Sequence, residues 1–173
     1  MRYLEIPELK ALLTNVENPR HRLMFLVGFC HGLRVSELIN LKGADIRDGY
    51  VNVQRLKGSM RTVQRYVRNP DPLLDEHTGL TELSRVVNED EILFPMTRSG
   101  VWRLMQRAGK LAGLPQHKLH PHALKHSIAL ASIKSAGIEN VRQYLGHKSM
   151  SSTGAYLRVT DEAASSAVIG AIA

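Results

Sequence analysis

The sequence predicts an α+β fold, a mainly helical single domain with a small three-stranded antiparallel sheet. Three observations point there. Apolar residues recur at helical spacing through most of the chain. One region, residues 44–67, is instead β-branched and aromatic around the turn Lys57-Gly58-Ser59. The 173 residues contain no internal repeat, low-complexity segment or interdomain linker, which suits one domain spanning residues 1–173.

Each element follows from local chemistry. Pro7 suits a first helical turn, and Leu9, Leu12 and Leu13 give a stripe that ends before Asn18-Pro19. Residues 20–31 are apolar nearly all round, so this helix is expected at the centre. Gly32 ends it, and a short helix follows at 35–41. Strands are expected near 44–47, at 50–54 and at 62–67, the last two forming a hairpin. Asn69-Pro70-Asp71-Pro72 is a turn. Helices are then expected at 73–87, at 99–112 with Thr97 as a possible N-cap, and at 121–135 before Gly137. Short helices at 138–145 and 151–158 precede a small, apolar, helix-prone tail, 161–173.

Composition narrows the function. Lys and Arg total 23 against 16 Asp and Glu, a net charge of +7. The charge is segregated. Residues 51–70 hold five basic residues and no acid, and residues 92–138 hold seven basic residues, four histidines and no acid. Between them, residues 71–91 carry seven acids against Arg85. Such a pattern suits a protein that presents one face to a polyanion. The single cysteine, Cys30, excludes a disulfide scaffold and a multi-cysteine zinc module, and fits a reducing cytosol. No stretch approaches the roughly 18 apolar residues of a membrane span, and the N-terminus does not read as a signal peptide. A cytoplasmic, nucleic-acid-associated protein without membrane contact is expected.

Four separated pieces carry reactive side chains. They are His31-Gly32-Leu33-Arg34-Val35-Ser36-Glu37-Leu38, Lys57 in the hairpin turn, His120-Pro121-His122-Ala123-Leu124-Lys125-His126, and Leu145-Gly146-His147 with Tyr156 nine residues beyond. On a helix opened by Pro121, His122, Lys125 and His126 share one face. These residue types suit transfer of a phosphodiester to a tyrosine. A phenol with a reference pKa near 10 needs a base and a cationic cradle to act as nucleophile at neutral pH. Arginine gives paired donors to the nonbridging oxygens, and histidine donates to them or exchanges protons. A lysine can protonate a departing sugar oxygen.

Each residue also has a plainer reading. Arg34 alone suits a structural partner of Glu37, Lys57 an ordinary turn residue, and His147 a helix C-terminus. His122 and His126 have metal-ligand spacing, but no acid lies nearby in sequence and no metal site is expected. Trp102 reads as a packing anchor rather than a base-stacking platform.

Taken together and in order, these blocks make the chain resemble the tyrosine recombinases of the phage integrase type, over essentially its whole length. The resemblance implies the catalytic-domain fold of that family. It implies that Tyr156 is the nucleophile, that Arg34 and His147 contact the scissile phosphate, and that His122 is base or proton relay. Lys57 would be the general acid, with Glu37 and His126 in support. Arg55, Arg61, Arg65 and Lys118 are expected to contact DNA. The implied reaction forms a 3′-phosphotyrosyl link and needs no cofactor, metal or ATP. The implied partners are double-stranded DNA and further copies of the chain, as a tetramer, with the 161–173 tail docking on a neighbour. The family's N-terminal core-binding domain is expected to be absent from this chain. One position departs from the pattern: where the family has a second arginine, three residues after His122, stands Lys125. Lysine keeps the charge and is expected to touch the scissile phosphate as a catalytic residue in the arginine's place, but it loses the two-pronged grip. Facing a DNA groove, it is expected to add little to folding. A DNA-binding or regulatory relative without cleavage activity, and a type IB-like topoisomerase, are the alternatives.

Overall fold

The computed structural model describes residues 3–55 and 59–149, with positions 153 and 169. Helix α1 spans Ile6–Thr14, its first turn fixed by the Glu8 carboxylate accepting from the Glu5 amide at 2.8 Å. Leu9, Leu12 and Leu13 face inward from it. Helix α2, Pro19–Cys30, begins at Asn18, whose side-chain oxygen accepts from the Arg20 and His21 amides. Every residue from Met24 to Cys30 is buried, so α2 is the central helix its composition predicts. Phe25, Leu38, Leu80, Phe94, Val101 and Leu124, from α2 and five surrounding segments, form the core at this level.

The short helix α3, Val35–Leu38, leads to the sheet. Strands β1 (Ile46–Arg47), β2 (Tyr50–Val53) and β3 (Thr62–Arg65) pair antiparallel in the order β1-β2-β3. Asp48 and Gly49 both take positive φ between β1 and β2, the requirement of a two-residue hairpin turn that matches strand twist. Alternation then sorts the faces. Val51, Val53, Thr62 and Gln64 point inward, while Tyr50, Val63 and Arg65 point outward.

Helix α4 spans His77–Val86, four residues later than the sequence predicts. The delay has a local cause. The Asn69, Asp71 and Asp75 side chains accept from the amides of Asp71, Leu73 and Asn69, so turns replace the first helical residues. Helix α5, Arg98–Leu111, is capped by Thr97, whose hydroxyl accepts from the Gly100 amide at 3.0 Å. Helix α6, Pro121–Tyr144, lies along α2 and is interrupted at Gly137, where φ is 77° and ψ is 161°. The two helices expected on either side of Gly137 are therefore two segments of one element. The expected helix at 151–158 lies outside the described residues apart from Thr153, which is helical, and so does the 161–173 tail apart from Ile169. Among the described residues, no helix is long and apolar enough to cross a membrane.

Candidate active site

Two helix ends of matching geometry build the site. At the end of α2, the Gly32 amide bonds Phe29 O and the Leu33 amide bonds Gly28 O, with Gly32 at φ 56°. At the end of α6, the Gly146 amide bonds Gln143 O and the His147 amide bonds Arg142 O, with Gly146 at φ 67°. Both are glycine-terminated Schellman turns. The first releases the chain into Arg34, and the second delivers His147. The turns pack on each other so closely that a Cβ on Gly32 would stand 2.4 Å from the Leu145 side chain.

Glu37 fixes Arg34 twice. One carboxylate oxygen accepts from the Arg34 amide at 2.8 Å and the other from its guanidinium at 2.9 Å. The Glu37 side chain is fully buried, whereas that of Arg34 keeps 29% of its surface in solvent, so the guanidinium is braced from behind and reachable from the front. Arg34 also donates to the hydroxyl of Ser59, the last residue of the hairpin turn. The hairpin is tied to the second helix end as well, because the Met60 amide donates to Gly146 O at 3.0 Å.

From α6, His122 and His126 pack edge to face, with ring centroids 4.9 Å apart. Lys125, on the same helix, is buried, and its ammonium donates to Leu145 O at 3.2 Å. Burial, then Arg55 and Arg34, push the Lys125 pKa down to about 7. His147 is buried with Nδ1 2.9 Å from the Thr153 hydroxyl, and burial followed by Lys125, Arg34 and Arg55 push it down to about 4. His122 is lowered by burial, Lys125 and Arg34, and His126 by burial, His122 and Lys125. The three imidazoles therefore stand as neutral rings at neutral pH. A neutral imidazole has one N–H and one lone pair, and in His147 the Thr153 hydroxyl takes Nδ1, which leaves Nε2 to face a ligand.

Arg34, His122, Lys125, His147, Glu37 and His126 thus converge. Tyr156 and Lys57 lie outside the described residues. Arg61 and Arg65 are exposed on the hairpin, Arg61 near Asn52 and Arg65 over the Tyr50 ring. Expectations for three basic residues need correcting. Arg55 does not face a groove: its side chain is wholly buried and its donors are spent on protein oxygens. Lys118 is held by Glu8, with N–O distances of 2.6 and 2.8 Å, so its charge is already paired. Lys125 is likewise buried rather than facing a groove.

A cleft of about 600 Å³ opens in front of Arg34 and His122. Its far wall is the start of α5, with Arg98, Ser99 and Trp102. Trp102 is 46% exposed, so the indole is a wall of the cleft and not the packing anchor expected. The signal lay in the spacing. Arg98 and Trp102 are one helical turn apart, at the start of a helix in the acid-free stretch.

Fold and site together set an arginine braced by a buried carboxylate beside a set of neutral imidazoles at the ends of two packed helices. The profile described as the Phage integrase family matches residues 2–163. The chain is 35% identical over 167 residues to tyrosine recombinase XerA of Pyrococcus furiosus, covering 88% of this chain and 56% of that one. It is 31% identical over 172 residues to tyrosine recombinase XerD of Xanthomonas axonopodis pv. citri, with the same coverage. The chain belongs to the phage integrase family. It spans about 56% of the length of these curated relatives. Its fold matches a crystal structure of XerA recombinase, with a TM-score of 0.70 at 24% identity over 97% of this chain and 62% of that one. It also matches a lambda integrase dimer bound to a COC′ core site, with a TM-score of 0.73 at 24% identity over 92% of this chain and 49% of that one.

Proposed function

We propose that this chain is the catalytic domain of a site-specific recombinase that cleaves and rejoins double-stranded DNA through a 3′-phosphotyrosyl intermediate. The observation that carries this reading is Arg34, braced from behind by Glu37 and facing one cleft together with His122, with His147 held at the adjoining helix end close enough to feel the Arg34 charge. The Tyr156 hydroxyl attacks the scissile phosphorus, and the 5′ oxygen leaves with a proton from Lys57. A 5′-hydroxyl of another strand then displaces the tyrosine. Arg34 and His147 hold the nonbridging oxygens, and His122 relays the nucleophile's proton. The bonds from Arg34 to Ser59 and from Met60 to Gly146 support a role for Lys57, since Ser59 ends the turn that carries it and Met60 follows. The chemistry runs on side chains alone, without metal, ATP or cofactor. The working form is a tetramer on DNA, with the 161–173 tail docked on a neighbouring copy.

The test is a nicked suicide duplex with randomised flanking sequence, incubated with protein in EDTA and run on a denaturing gel. A covalent adduct is expected from the wild type and none from Tyr156→Phe, which removes only the attacking oxygen. An adduct from Tyr156→Phe would remove the nucleophile assignment. Binding without an adduct from the wild type would leave a DNA-binding relative.

A further inference from the structure

Arg55 stands two residues before Lys57, yet its side chain is wholly buried. A guanidinium has five N–H donors in a fixed plane. Here each has an acceptor. Nε donates to the Thr62 hydroxyl at 3.2 Å, and Nη1 donates to Gly32 O at 2.9 Å and to Glu37 at 3.3 Å. Nη2 donates to His31 O at 2.9 Å and to Tyr144 O at 3.1 Å. With its donors spent, Arg55 has none left for a substrate oxygen.

The identity of the acceptors gives the residue its meaning. His31 and Gly32 close α2 immediately before Arg34. Tyr144 closes α6 just before Gly146-His147, Thr62 begins β3 beyond the Lys57 turn, and Glu37 is the brace of Arg34. One planar group therefore spans the segments that present Arg34 and His147 to the phosphate. Gly146 presses on it too, since a Cβ there would stand 3.2 Å from Arg55 Cγ. We propose that Arg55 is a positioning residue for strand cleavage, the buried clamp that sets the spacing between the Arg34 segment and the His147 turn.

This role rests on the phosphotyrosyl reading above and carries a second consequence. Lys125 is faced by Arg34 and Glu37 from the α3 segment, by Arg55 from the hairpin, by His147 beyond α6, and by His122 and His126 on its own helix. Removing the Arg55 charge relieves one of the repulsions on the Lys125 ammonium. Its titration moves to higher pH.

The experiment measures single-turnover adduct formation by the full chain on the randomised nicked duplex from pH 5.5 to 9. Duplex affinity and Tm are measured alongside. Arg55→Lys keeps the charge but gathers its donors at one point, so it cannot bridge both helix ends. It is expected to fold, to bind duplex within about twofold of wild type, and to cleave roughly 10- to 100-fold more slowly, as misplaced reacting groups do. Arg55→Gln is expected to show the same loss, with the Lys125 limb of the pH profile displaced upward. Folded variants that cleave at the wild-type rate with an unmoved limb would overturn the proposal. So would failure of both variants to fold, which would make Arg55 structural only. A wild type that forms no adduct would instead overturn the function on which the proposal rests.

Discussion

Lys125 shows how one side chain can serve a site at the expense of the fold. Its ammonium is buried beside two guanidinium groups, and its pKa falls from an ordinary 10.5 to about 7. Between those values the unfolded chain binds the proton more readily than the folded one, so stability rises with pH there and the penalty is complete below pH 7. Lys125→Met, close in shape and uncharged, should therefore raise Tm at pH 7. A gain on the order of 1 kcal/mol corresponds to roughly 2–4 °C. The gain should shrink to nothing as pH approaches 10, and the variant should lose cleavage activity. A Tm that falls at pH 7 would mean that the bond to Leu145 O outweighs the charge. His147 behaves with the same sign in a lower window. Held near 4, it makes the folded state shed a proton that the unfolded state keeps from about pH 6.5 down. Tm should fall as pH drops from 6.5 toward 4, and His147→Asn should flatten that fall. His122 and His126 add to the slope in the same direction.

At the scale of elements, the site depends on how two helices stop. Gly146 takes φ 67°, and a Cβ on it would meet Met60 O at 2.6 Å, a backbone atom that cannot rotate away. Gly146→Ala should cost about 1–3 kcal/mol and lower Tm. Because Met60 belongs to the hairpin, it should slow adduct formation more than duplex binding. Equal losses in both would mean that the hairpin moves as one body with the turn. Much of this layer was legible in the sequence, because glycines, prolines and caps act locally. Gly32, Gly146, Pro19, Pro121 and Thr97 stand where the pattern put them. The late start of α4 was harder to read. There a helical turn competes with side-chain turns from Asn69, Asp71 and Asp75, and apolar spacing alone does not show that the local hydrogen bonds win.

For the whole molecule, charge is the common thread. Arg61 and Arg65 are exposed on the hairpin, so replacing both with Gln should weaken binding to any duplex. The dependence of log affinity on log salt should flatten by about 0.9 for each phosphate no longer neutralised. An unchanged slope would turn the hairpin away from DNA. Arg34, Glu37, His122 and His147 were legible as a set because phosphoryl transfer suits those residue types and their order resembles that of the tyrosine recombinases. Arg55 and Lys118 were not, because a basic residue in an acid-free stretch reads the same whether it meets solvent, Glu8 or two helix ends. Trp102 was missed for the complementary reason, since an indole looks like core until its neighbours are known.

Arg34, Arg55 and Lys125 gather about the buried carboxylate of Glu37, and that imbalance reaches beyond the reaction. On the proposed function, a phosphodiester seated in the cleft would supply the missing negative charge, and DNA would complete the interior of the protein as well as its task. Off DNA, the chain carries uncompensated repulsion near its centre and should open more often to proteases. With duplex at about one hundred times its Kd, the folded state gains about 2.7 kcal/mol. Digestion by a nonspecific protease should slow accordingly, and raising the salt should restore the faster rate. The lifetime of this protein in a cell would then follow its occupancy of DNA, with idle copies cleared and engaged copies spared.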